Sequence, residues 1–317
     1  MTIGSISTSA QAQLFLSQIQ QDESNMSTTE SQVATGLVST TYGGIGDQTA
    51  AMEAAQSQGA LASSYASSAQ LGANQADLQD TQLTQLSSLA SQLQQQITTA
   101  VANNNGSALM SEAQSIFSQA SQILNSQDAN GNYIYSGGNS STPPVTPTTL
   151  SQLAALPNAA AAFTNGTQAT SVQVGPGQDV QVGVLASAVG TQLMQTLQDV
   201  ANFNSGSSGN FGATLTSAQS KFLSNEIGVA QNASQTVNDA TGANGQVYQQ
   251  LQAAVTQQQS MSTLYQGFVS NIQNVDMATA SSNLTQDQVA MQAALEVTAQ
   301  LGQVSLLNYI GSTSTVG

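Results

Sequence analysis

Few residues in this chain are placed to do chemistry. Carboxylate pairs stand at Asp22/Glu23 and Asp77/Asp80. Such pairs serve acid–base work when their environments push the two proton affinities apart. Both lie in stretches rich in Gln and Ser, which reads as solvated helix face. The run Asp128-Ala-Asn-Gly-Asn opens like a calcium loop, but Asn139 stands where the closing glutamate belongs, so we read a turn. Histidine and cysteine are absent from the 317 residues, which excludes Ser–His–Asp and Cys–His catalysis and removes the two commonest transition-metal ligands. A Ser–Lys pair would rest on Lys221 alone. "GPGQ" and "GGIG" have neither the spacing nor the lysine of a phosphate loop. Tyr133, Tyr135 and Phe163 could form a ligand patch, but suit a small domain core better. The chain reads as a non-enzyme, with no cofactor and no metal.

Charge narrows the field further. Sixteen acidic residues face one lysine, for a net charge of −15, and charged residues are only 5% of the chain. Nucleic-acid binding depends on Lys and Arg releasing counterions from phosphates, and docking on anionic lipid needs the same residues; neither is expected. The start, "MTIGSISTSAQAQLFLSQIQQ", has no basic stretch before an apolar one, so no cleaved signal is expected. No window reaches the 18 or so apolar residues of a membrane span, so no membrane insertion is expected. With one cation, helices cannot choose partners through Glu–Lys bridges.

The elements that carry these residues are mostly helices. Ala12, Ile19, Met26 and Val33 stand seven apart. Leu16, Glu23, Glu30 and Leu37 form a companion row four positions on, which predicts a heptad seam with two acids set into it. The pattern ends at "GLVSTTYGGIGDQ", residues 36–48. A second helix is predicted over about 49–102, with Leu71, Leu78, Leu86, Leu89, Leu93, Ile97 and Val101 in its apolar row. "NNNG" at 103–106 is a turn, and a third helix follows over about 107–126. "DANGNYIYSGG", 128–138, reads as a turn plus a short strand. Three of the five prolines fall in "SSTPPVTPT", where helix is excluded. "ATSVQVGPGQDVQVGVLA", 169–186, alternates apolar and polar residues around a Gly-Pro-Gly turn, a β-hairpin signal. Helical patterning resumes near Thr191, breaks at "NSGSSGNFG", and runs over about 213–274 with a possible break at "TGANG". A terminal helix is predicted over 279–309; Val297, Leu301 and Val304 mark one side, Leu284, Met291 and Leu295 an adjoining one.

The expected fold is therefore mainly α with a small β-containing insert: an elongated helical bundle whose N- and C-terminal helices pair as a coiled coil. We divide it into an N-terminal arm (1–44), a helical rod in two parts (45–138 and 191–275), the insert (139–190) and a C-terminal arm (276–317).

The last of these segments carries a resemblance. "NVDMATASSNLTQDQVAMQAALEVTAQLGQVSLLNYI", 274–310, resembles the C-terminal region of the bacterial flagellin family. The matching residues are Asp276, Met277, Ala278, Asn283, Leu284, Gln292–Leu295, Ser305–Leu307 and Tyr309. Thr35, Gly36 and Asp47 agree with the family's N-terminal pattern, although Leu37, Val38 and Ser39 stand where relatives carry basic residues. "DANGNYIYSGGNSSTPPV" and "ATGANGQVYQQLQAA" resemble segments of the family's hook–filament junction branch.

The resemblance implies an extracellular structural protein of the flagellum, exported without a cleaved signal and joining hook to filament. Its partners would be copies of itself, the hook, a second junction protein and flagellin, with an export chaperone beforehand. It implies a polymer interface on the terminal helices, for which we single out Ala12, Leu16, Ile19, Met26, Val33, Leu37, Leu284, Met291, Leu295, Val297, Leu301, Val304, Leu306 and Leu307. The bulk filament subunit is the alternative. A carbohydrate-binding insert and a cytoplasmic coiled-coil scaffold are more distant ones.

Overall fold

The computed structural model describes the backbone of residues 8–313 and the side chains of 13–300 and Ala10. Seven helices and one hairpin follow in order: α1 (Thr8–Thr35), α2 (Thr49–Ala102), α3 (Leu109–Leu124), α4 (Leu150–Ala154), β1 (Thr170–Gly175), β2 (Gln178–Val182), α5 (Ala186–Ser205), α6 (Ser217–Gln273) and α7 (Met277–Thr313). No helix among the described residues is long and apolar enough to cross a membrane. The chain divides into two compact units, one of residues 1–60 and 263–317, the other of residues 61–262.

In the 61–262 unit, α2 buries residues that advance in alternate steps of four and three: Ala62, Ala66, Ala69, Ala73 and Ala76, then Leu83, Leu86, Ala90, Leu93, Ile97 and Ala100. The predicted row departs from this at its start, since Leu71 and Leu78 are exposed (70% and 43%). The reason is what lies opposite. Val174 and Val182 of the hairpin and Leu251 and Val255 of α6 close over the alanines, and small residues admit that approach. The fit is tight at Gly72, where an added Cβ would stand 3.0 Å from a Val172 methyl. The leucine part of α2 meets Ile116 and Phe117 of α3, Leu193 and Leu197 of α5, and Leu223 and Val237 of α6 in one core.

Segment 139–190 keeps no core of its own. Val145, Leu150, Leu153, Ala159 and Ala162 are buried in the same core as α3 and α5, with Phe163 packed against it. Gln198 on α5 donates to the carbonyls of Leu153 (2.9 Å) and Leu156 (2.8 Å) and so ties α4 down. The hairpin is as predicted, antiparallel with Val172 opposite Val180. Gly177 supplies the left-handed residue of its turn (φ 66°). Gln258 on α6 holds it by donating to the Val174 carbonyl at 2.9 Å.

Two expectations fail locally. Residues 128–138 form no strand, only an isolated bridge between Gln127 and Tyr133. The Asp128 carboxylate instead accepts the backbone N–H groups of Asn130 (2.8 Å) and Asn132 (2.9 Å) and curls the chain. Those bonds hold its carboxyl below the ordinary range. Nor does α6 break at "TGANG". Glycine inside a helix costs about 1 kcal/mol, but Asn244 between the two glycines is buried and donates to the Ala76 carbonyl at 2.7 Å.

The core assignment is checked by paired truncations. Leu193→Ala should lower unfolding stability by about 2–5 kcal/mol, whereas Leu71→Ala should change it by less than about 0.5 kcal/mol. Urea denaturation of both variants measures the contrast; equal costs would overturn the seam described for α2.

Candidate subunit interface

The unit of residues 1–60 and 263–317 is built on the pairing of α1 with α7. The polypeptide around Gly36 sets it up. Gly36 takes the left-handed conformation (φ 72°) just after α1 ends, a common helix stop. Val38 then donates to the Gln273 carbonyl (2.7 Å) and Val275 to the Gly36 carbonyl (3.0 Å). Leu37 bridges Asn274 in antiparallel sense. This backbone clasp uses Leu37 and Val38, the residues that stand where basic ones were anticipated.

Asp276 then starts α7. Its carboxylate accepts the N–H groups of Ala278 (2.9 Å) and Thr279 (3.4 Å) and the Thr279 hydroxyl (3.2 Å). These bonds hold the carboxyl below its usual range. The Asp-Met-Ala step singled out in the sequence is thus a helix cap, satisfying donors that the first turn leaves unpaired.

From there the helices run antiparallel. Toward each other they turn Ile19, Asp22, Met26, Thr29 and Val33 of α1, and Ala280, Leu284, Asp287, Met291, Ala294 and Thr298 of α7, all buried or half-buried. Both sets keep the alternating three and four spacing of a heptad seam. The expected companion row on α1 is displaced by one position. Asp22 and Thr29 lie inward while Leu16, Glu23 and Glu30 are exposed, because the second seam position falls three residues after the first rather than four. Inside the seam the Thr29 hydroxyl donates to the Asp287 carboxylate at 2.8 Å, and at its exposed edge Gln18 donates to Asp22 at 2.9 Å.

Of the residues singled out for the interface, Ile19, Met26, Val33, Leu37, Leu284 and Met291 are half-buried in this one chain. Leu16 (59%), Leu295 (53%) and Val297 (41%) face outward. The side chains of Ala12, Leu301, Val304, Leu306 and Leu307 lie outside the described residues. The structure adds Leu14, Phe15, Val289, Leu264 and Phe268, all exposed. A signal for some of these was in the sequence: three successive large apolar residues, Leu14–Leu16, cannot all face one partner on a helix.

Comparison with known proteins agrees with this architecture. Residues 227–310, most of α6 and of α7, match the family of the bacterial flagellin C-terminal helical region. No curated protein sequence matches the chain. Among solved structures, one assigned as a flagellar hook-associated protein of Vibrio parahaemolyticus aligns at a TM-score of 0.55 and 13% identity, covering 70% of this chain and 96% of that one. The FlgL protein of Bacillus cereus aligns at a TM-score of 0.50 and 12% identity, covering 69% and 98%. The fold is that of the flagellar hook-associated proteins. On that fold, residues 227–310 are the segment that matches the flagellin C-terminal helical region.

The seam hydrogen bond has a measurable consequence. Thr29→Val removes the donor and leaves a half-buried carboxylate short of a partner, at a cost of about 1–3 kcal/mol to the α1–α7 pairing. Amide hydrogen exchange should speed up over residues 280–298 and stay unchanged in the 61–262 unit. Asp276→Ala should speed exchange at 278–280 first. Uniform exchange changes across the molecule would contradict both.

Proposed function

We propose that this protein is a structural subunit of the bacterial flagellar axis, placed at the junction of hook and filament and polymerising through α1 and α7. The observation that carries the reading is an asymmetry of exposed apolar surface. Among the described residues, ten of the fourteen exposed large apolar side chains lie on the unit of residues 1–60 and 263–317, which is the smaller of the two. Large apolar side chains left exposed in such numbers on one part of a molecule point to an interaction site. Its burial returns about 25 cal/mol per Å². The match at 227–310 and the two hook-associated neighbours support the flagellar setting and the junction assignment.

On this reading Leu14, Phe15, Leu16, Val289, Leu295 and Val297 are covered by neighbouring copies or by adjoining axial proteins, namely hook, a second junction protein and flagellin. The half-buried seam residues hold each copy's arms together. Leu301, Val304, Leu306 and Leu307 continue the interface. The protein works outside the cell after export, with an export chaperone shielding the apolar arms beforehand.

Copies of net charge −15 repel one another. Assembly of purified chain should therefore be promoted by salt, and by acid as the pH approaches the pI of about 4.1. Polymer yield by sedimentation from pH 3 to pH 8 checks this, and indifference to both variables would refute it. Replacing Leu14, Leu16, Leu295 and Val297 with Ser should abolish assembly and leave unfolding of the 61–262 unit unchanged. Immunogold labelling of cells with antibody to residues 139–190 tests the location. Label at one spot between hook and filament is expected; label along the filament would make the protein the bulk subunit.

A further inference from the structure

We propose that Glu226 is an acid-operated lock on the packing of α5 against α6. Neutral, it sits in the core at far lower cost than when charged. Ionised, it pushes the two helices apart.

Glu226 occupies a core position. It falls between Leu223 and Ala230 in the buried stripe of α6 and is only 7% exposed. Its Oε2 atom is buried with no hydrogen-bond partner, which is costly for a carboxylate and far less so for an uncharged carboxyl. The group facing it from α5 is a second acid, Asp199. That carboxylate is half-buried and already holds the Gln195 amide on both oxygens at 2.9 Å. One helical turn along each helix, Phe203 and Phe222 stack with their rings 4.0 Å apart, so the pair is set beside a direct α5–α6 contact. No cation accompanies the two acids: Lys221, the chain's one lysine, stands on the preceding turns of α6 and is exposed. Asp199 is the one titratable group among the described residues that acts on Glu226. In most proteins an arginine or lysine would neutralise such a pair; here a proton is the available counter-charge.

Burial first, and the Asp199 charge second, push the Glu226 carboxyl up to about 7 from 4.5. The folded state thus holds the proton more tightly than the unfolded chain does. The contribution of Glu226 to stability is full below about pH 4.5 and is lost as the pH rises through about 7. Resting on the flagellar reading above, this gives a subunit whose α5–α6 packing opens more readily at neutral pH and locks when the surroundings turn acidic.

The test uses the purified full-length chain, wild type beside Glu226→Gln and Asp199→Asn. Thermal unfolding at pH 5.0 and pH 7.5 should show the wild-type folding equilibrium weakening on the order of fiftyfold across that interval, a loss of several degrees in Tm. Glu226→Gln should keep most of that stability at pH 7.5. Carbon-13 NMR of the glutamate carboxyls should show one group titrating near neutrality. That group should be missing in Glu226→Gln and moved to lower pH in Asp199→Asn. A wild-type spectrum with no glutamate titrating above pH 6 would overturn the proposal, as would a Gln variant with the wild-type pH dependence. If Glu226→Gln fails to fold, the wild-type and Asp199→Asn titrations decide alone. All of these are read on the monomer, so they stand apart from the labelling experiment that decides the flagellar role.

Discussion

A chain with a single lysine cannot use ion pairs to specify how its helices meet, and most of the structure answers to that constraint. Salt bridges ordinarily set register and partner choice along helix–helix seams. Here amides and hydroxyls take that part. Asn244 reaches the Ala76 carbonyl, Gln258 the hairpin, and Gln198 the carbonyls beside α4. Ser87 and Ser91 meet Ser234 on α6, at 3.3 and 3.0 Å. Gln219 gathers the carbonyls of Ser208, Gly209 and Asn210 at the loop before α6. Each is a buried or part-buried polar group satisfied by a short side chain, and such bonds fix geometry because leaving one unmade is expensive.

The same constraint bears on packing. Amide and hydroxyl contacts have short reach, so the backbones they join must come close. Alanine at the inward positions of α2 from Ala62 to Ala76, and Gly72 under the hairpin, allow that approach. Where the inward residues change to leucine and isoleucine, the contacts pass to a wider core that also takes in segment 139–190. The unit of residues 1–60 and 263–317 has no such core among its described residues. Its buried apolar side chains are Met52, Ala55 and Ala280, and its larger apolar groups are half-buried in the α1–α7 seam or exposed. A unit so constituted has apolar surface to share with other molecules.

Much of this could be read directly from the residues. The hairpin around Gly-Pro-Gly, the stop at Gly36, the extent of α2 and the presence of helical arms at both ends are local matters, set by periodicity and by turn residues. The resemblance of residues 274–310 to flagellins rested on matched side chains and agrees with the match at 227–310. The short strand expected after Asp128 gave way to bonds that are local, but what was misplaced on the helices depended on partners far along the chain. Leu71 and Leu78 have the same spacing as buried leucines, and their exposure follows only from where the valines of the hairpin come to rest. The inward positions of α1 depend on which of two adjacent rows α7 covers, and a row holding Asp22 and Thr29 does not announce itself as a seam.

By itself, then, the sequence determined the class of fold, the helical arms, the hairpin and the exclusion of ion pairing, because these follow from composition and from neighbours within a few residues. Only the tertiary structure decided three further things. One is that Thr29 of α1 donates into the seam at Asp287 of α7. Another is that the proline-rich segment joins the main core. The last is that Glu226 lies buried opposite Asp199. The physical reason is common to all three. The worth of a polar group depends on whether water or a distant side chain satisfies it, and that is settled when remote stretches of the chain meet.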